Sequence, residues 1–141
     1  MERGFLIRSS YALISIRDSD AARARVPKVA GLRGVLHLAF DDAEPAESFQ
    51  LPPDIKLMTD HHARRIWRFV RFHREQVGAF VVHCHQGMSR SPAVAAAIAA
   101  HLRVDGREFM EDYTPNQYVY RLLLKTMPAF NGANSLGGGY R

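Results

Sequence analysis

Val81-Val82-His83-Cys84-His85-Gln86-Gly87-Met88-Ser89-Arg90-Ser91-Pro92-Ala93 leaves a short apolar strand begun at Ala79, crosses a loop holding the chain's only cysteine, and enters an alanine-rich helix. Strand, loop and helix in that order form a physical unit that binds phosphate. Successive backbone N–H groups curl around the anion, and the helix that follows turns its positive end toward it. Gly87 lets the backbone bend inward without a Cβ in the way. Arg90 closes the ring and offers a planar, two-pronged donor set to two phosphate oxygens. Residues 85–90 (His85, Gln86, Gly87, Met88, Ser89 and Arg90) are therefore the expected anion-binding set.

A cysteine in such a cradle differs from an ordinary thiol. The field that attracts phosphate also stabilises a thiolate, so the pKa of Cys84 is expected below the free value of about 8.5. A thiolate facing phosphorus is set for in-line attack, giving a cysteinyl-phosphate. Ser91 follows Arg90 and is placed to donate a hydrogen bond to the sulfur when water later displaces it. A buried, inert cysteine would leave Gly87, Arg90 and the helix start unexplained.

His83-Cys84-x-x-Gly87-x-x-Arg90-Ser91 resembles the signature of the cysteine-dependent protein phosphatases. The longer form running to Pro92 resembles their dual-specificity branch. The likeness covers residues 11–126 in layout and is motif-strong at 82–92. It implies a three-layer α/β sandwich with a central, mainly parallel sheet flanked by helices. It also implies hydrolysis of phosphotyrosine, with phosphoserine and phosphothreonine as further substrates, and needs no cofactor and no metal. His83 resembles the family histidine that orients the loop and tunes the thiolate.

Composition agrees with one compact catalytic unit, expected over residues 1–130 with a glycine-rich tail over 131–141. The chain has 141 residues, 47% hydrophobic and 23% charged, as in soluble globular proteins. No apolar run is long enough to cross a membrane, and Glu2 and Arg8 interrupt any signal-peptide layout. A single cysteine excludes an internal disulfide and fits a reducing, cytoplasmic setting. The net charge of +5 favours anionic partners: a phosphorylated protein or peptide, and phosphate, sulfate or vanadate in the loop. Its arginines are scattered rather than gathered, so neither nucleic acid nor a membrane is an expected partner.

Strands interleave with helices along the chain, the pattern of a mainly parallel sheet. Gly4 to Arg8 and Tyr11 to Ile16 read as strands, the second nearly continuous in apolar residues, as burial on both faces requires. Asp20 is expected to cap a short helix to Arg25, broken by Pro27. Gly31 and Gly34 bracket a turn into the strand Val35 to Phe40, where His37 reads as a sheet residue. An irregular stretch follows to Met58. Thr59 caps a helix to about Glu75, with Ala63, Ile66, Trp67 and Val70 on its buried stripe. His61 and His62 are adjacent on that helix and cannot face one metal. After the Cys84 strand come helices from Ala93 to about Arg103, from Arg107 to about Tyr113, and from Thr114-Pro115 to Lys125. In the last, Tyr118, Val119, Leu122 and Leu123 point inward. Cys84 is expected at the carboxyl end of a central strand, where such sheets place ligands.

Thiolate attack expels an alkoxide or phenoxide, which needs a proton from an acid on a nearby loop. Asp41, Asp42, Glu44, Glu47 and Asp54 are the candidates. Asp41 and Asp42 leave a strand at the sheet edge where Cys84 belongs, which favours them over Asp54. Phe40-Asp41-Asp42 before a proline-containing loop resembles the acid loop of the phosphatases of regenerating liver, which implies Asp42. The usual family distance from acid to cysteine matches Asp54 better, so Asp41 and Asp54 stay as alternatives.

Three other functions use related parts. A phosphoinositide or RNA 5′-triphosphate phosphatase usually carries extra cations inside the loop, and His85, Gln86, Met88 and Ser89 supply no Lys or Arg. A rhodanese-like sulfurtransferase also uses a loop cysteine, in a shorter loop and without a separate acid. A phosphate-reading module has no use for a reactive thiol.

Overall fold

The computed structural model describes residues 10–45, 51–85 and 87–129. The readings that fall on Gly4 to Arg8, Glu47, Gln86 and the tail 131–141 lie outside the described residues. In chain order the elements are β1 (Tyr11–Arg17), β2 (Leu32–Ala39), α1 (Asp60–His73), β3 (Ala79–His83), α2 (Arg90–Leu102), α3 (Arg107–Glu111) and α4 (Gln117–Thr126). The strands pair in parallel in the order β2-β1-β3. A parallel sheet carrying helices is the expected fold class.

β1 is the middle strand, and its residues from Ala12 to Ile16 are all buried. A strand apolar but for Ser15 suits that place because both its faces are covered. Cys84 thus follows a strand at the edge of the described sheet, not a central one. The exposure of β3 agrees with an edge: Val81 is 43% exposed, and Ala79 and His83 are exposed beside it.

Side chains alternate across a strand, so Ile14 and Ile16 share a face with Leu36, Leu38 and Phe40. That face packs on Ala63, Ile66, Trp67 and Val70 of α1, on Ala93, Val94, Ala97 and Ile98 of α2, and on Val119, Leu122 and Leu123 of α4. The small residues of α2 let it lie close to the sheet, which brings its N-terminus over the end of β3. Trp67 donates its indole N–H to the Leu123 carbonyl at 3.2 Å and joins α1 to α4. Tyr118, expected inward, is half-buried and donates its hydroxyl to the Met58 carbonyl at 2.8 Å.

Four local expectations change. Residues 20–25 form no helix; a turn with Ala21 N–H on the Asp18 carbonyl, 3.0 Å, leads into irregular chain. Six residues before Pro27 are too few to offset helix nucleation. Gly34 lies within β2 instead of bracketing a turn: a Cβ there would meet His73 Nε2 at 2.6 Å, so glycine is what lets α1 close on the strand. α3 ends at Glu111. Finally, α4 begins at Gln117, because Asn116 takes the cap, its side chain accepting from Val119 N–H at 3.0 Å.

Candidate active site

Loop 84–90 folds as a cradle for local reasons and is held by distant ones. Gly87 has φ +72, with open space where a Cβ would stand, so backbone conformation alone demands glycine there. Thr114 donates its N–H to the Met88 carbonyl at 3.1 Å, and Asn116 donates its N–H to the Ser89 carbonyl at 3.0 Å. A trans peptide points its C=O and the next N–H in opposite directions. Anchoring these two carbonyls outward therefore turns the amides of Ser89 and Arg90 to the inner side of the loop.

Ser89 is the N-cap of α2, yet its side chain makes no capping bond. The first amides of the helix are thus left for the loop, and Ser91 N–H reaches Cys84 Sγ at 3.4 Å. Gly87 N–H reaches the same sulfur at 3.2 Å, and Ser91 Oγ lies 3.3 Å from it. Burial of the half-covered thiol works to raise its pKa. The hydroxyl and amide of Ser91, the amide of Gly87 and the charge of Arg90 work against burial and outweigh it, leaving Cys84 below the ordinary thiol value. A thiolate in this place accepts from all three donors.

Arg90 is only 4% exposed. Its Nη1 donates to the Phe40 carbonyl at 2.7 Å, and its Nη2 pairs with Asp18 at 2.9 Å. Nε is buried with no partner among the described residues, a costly state for a guanidinium donor. The two-pronged guanidinium expected from sequence is therefore partly engaged with the protein, and Nε is the nitrogen without a partner. Asp18 is not among the site residues expected from sequence. Its position just beyond β1, at the same sheet edge as Cys84, was the available signal.

The candidate acids among the described residues occupy different settings. Asp41 is locked: its carboxylate accepts from Ser19 N–H, Ser19 Oγ and Lys56 N–H, each at 2.8 Å. Partial burial raises its pKa, but these donors and Arg90 outweigh burial and hold it below the usual carboxylate range. Asp42 is exposed and touches the cradle itself, accepting from Ser89 Oγ at 2.8 Å and from Asn116 Nδ2 at 2.9 Å. Asp54 is exposed and lines the same cavity of about 510 Å³ as Asp18, Asp41, Asp42, His85 and Arg90. Glu44 lies further off and accepts from Gln117 N–H at 3.2 Å. Asn116, which is not among the site residues expected from sequence, also donates to the Ala43 carbonyl at 3.1 Å and so ties the Asp42 loop to the cradle's brace.

His83 sits on β3 with Nε2 2.7 Å from Ser15 Oγ, which orients the ring across the sheet just before Cys84. Cys84 lines a second cavity of about 360 Å³ with Arg17, His83 and His85. His85 is common to both cavities, and Met88 is 48% exposed at the loop's outer rim. Among the described residues no His, Cys, Asp and Glu cluster is arranged to hold a metal. No described helix is long and apolar enough to cross a membrane.

No family model and no curated protein matches the sequence. The fold does have solved counterparts. One is a mouse protein designated a dual specificity phosphatase, in complex with zinc tungstate: TM-score 0.52, 19% identity, 96% of this chain and 79% of that one covered. Another is Tk-PTP in its active form, with TM-score 0.48 and 19% identity over 89% of this chain and 85% of that one. The chain therefore has the fold on which the mouse protein is built.

Proposed function

We propose that the chain is a cysteine-dependent phosphomonoesterase, a protein phosphatase acting on phosphotyrosine and also on phosphoserine and phosphothreonine. The observation that carries this reading is the sulfur of Cys84, bonded by Gly87 N–H, Ser91 N–H and Ser91 Oγ at 3.2, 3.4 and 3.3 Å in a loop closed by Arg90. That arrangement stabilises a thiolate and presents it to an anion. Phosphate held by the loop amides and Arg90 Nε is attacked by Sγ; the S–P bond forms as the ester P–O bond breaks. Asp42, on the cradle's rim, gives its proton to the departing oxygen. Water then attacks phosphorus, Asp42 takes a proton from that water, and Sγ leaves as a thiolate stabilised by Ser91. The products are the alcohol or phenol and inorganic phosphate.

The fold shared with the mouse phosphatase supports this reading. So does the Asp42–Ser89 contact, which favours Asp42 over Asp41 and Asp54 as the acid. The test is hydrolysis of p-nitrophenyl phosphate and of phosphotyrosine peptides by the full chain and by Cys84→Ser. Turnover by the parent and none by the variant is expected; equal turnover by both would overturn the assignment.

A further inference from the structure

The chain as a whole is basic, with a formal charge of +5, but the cavity that Arg90 faces is not. Five aspartates line it: Asp18, Asp20, Asp41, Asp42 and Asp54. Asp18 is neutralised by its 2.9 Å pair with Arg90. Asp41 is bound by Ser19 and Lys56 but keeps its negative charge. Asp20 and Asp54 are exposed and have no hydrogen-bond or ion-pair partner among the described residues. The same cavity holds a separate mark of a ligand in Arg90, 4% exposed, whose buried Nε lacks a partner. A cavity wall of low polarisability focuses such fields, so the mouth is negative although the protein is positive.

We propose that this site takes phosphopeptides carrying Lys or Arg beside the phosphorylated residue. The inference rests on the phosphatase reading above and narrows its substrate class. A phosphate dianion is satisfied locally by the loop amides, the start of α2 and Arg90. Whatever flanks it passes Asp20, Asp41 and Asp54. A second phosphate or an acidic side chain meets like charge there, whereas an ammonium or guanidinium meets two exposed carboxylates with nothing else to bind. The cationic groups beside Cys84 are Arg90, whose charge acts on the thiol, and Arg17, which lines the smaller cavity with it. The chain's charge is thus divided, cationic against the sulfur and anionic toward the wider opening.

The experiment compares two phosphotyrosine peptides that differ only in flanking Arg or Glu residues, using the full chain. The basic peptide is expected to show a kcat/KM higher by about three- to tenfold at low salt, with the gap closing as ionic strength rises. Asp20→Asn and Asp54→Asn are each expected to shrink the ratio between the two peptides by about twofold, whatever they do to either rate alone. A ratio near one, a preference for the acidic peptide, or a ratio unchanged in both variants overturns the inference while leaving the phosphatase reading intact. Better turnover of a phosphoinositide vesicle or a 5′-triphosphorylated RNA also overturns it. Absence of any Cys84-dependent hydrolysis of p-nitrophenyl phosphate removes both.

Discussion

The side-chain amide of Asn116, buried at the N-cap of α4, donates to Asp42 Oδ1 over 2.9 Å. The same amide reaches the Ala43 carbonyl, its oxygen caps α4, and its backbone N–H holds Ser89. One residue thus braces the candidate acid and the phosphate cradle together.

Asn116→Ala is expected to lower kcat on phosphotyrosine peptides by tenfold or more and to destabilise the fold by about 1–2 kcal/mol through the lost cap. Asn116→Ser keeps an oxygen to cap α4 but has no amide to donate to Asp42, so it should recover stability without recovering kcat. Thermal melts beside steady-state kinetics check this; equal recovery of both would reduce Asn116 to a helix cap.

The acid assignment separates by substitution. Asp42→Asn should lower kcat by about 10²–10⁴ and Asp54→Asn by only a few-fold. The loss for Asp42→Asn should shrink on aryl phosphates with good leaving groups, which need no proton. A larger loss in Asp54→Asn would transfer the role to Asp54.

Asp41 is expected to act on stability. Its folded pKa is depressed, so the ionised form favours folding; the contribution is present above the unfolded carboxylate value near 4 and is lost as pH falls through the lower folded value. Asp41→Asn should therefore lower Tm at pH 7 and flatten the fall of Tm between about pH 5 and pH 2. A Tm curve unchanged from the parent would contradict the Ser19–Asp41–Lys56 lock.

The thiol can be titrated directly. Donors to the thiolate hold Cys84 below the ordinary value, so its alkylation by iodoacetate should have a midpoint below about pH 8.5. Ser91→Ala removes the hydroxyl donor and should move that midpoint up. A normal midpoint in the parent would mean that the cradle does not charge the sulfur.

Gly34→Ala tests the packing of α1. The new Cβ would meet His73 Nε2 at 2.6 Å, and that ring cannot easily swing away: Nδ1 is 3.0 Å from the Phe69 carbonyl, and the Phe69 ring lies at 4.4 Å. A loss of about 1–3 kcal/mol is expected, read from urea unfolding.

These sites differ in how far the sequence alone revealed them. Cys84, Gly87, Arg90 and the start of α2 are contiguous, so their strand–loop–helix context could be read from one stretch. The stripe Ala63, Ile66, Trp67 and Val70 was legible because helical periodicity is also local. Asp18 on Arg90, and Thr114 and Asn116 on the Met88 and Ser89 carbonyls, are joined only by tertiary folding, and no spacing announces them. The edge position of β3 escaped for the same reason, since strand order is a property of the whole sheet. Asp20 to Arg25 failed differently: alanine and arginine suit a helix, but the segment is too short and ends against Pro27.

The outward anchoring of the Met88 and Ser89 carbonyls by Thr114 and Asn116 bears on transplantation. A heptapeptide from Cys84 to Arg90 grafted between another protein's strand and helix would bring its nucleophile and its guanidinium but not the orientation of its amides. An engineer moving this chemistry to a new scaffold has to carry the turn before α4 as well, or design a substitute for its two N–H groups.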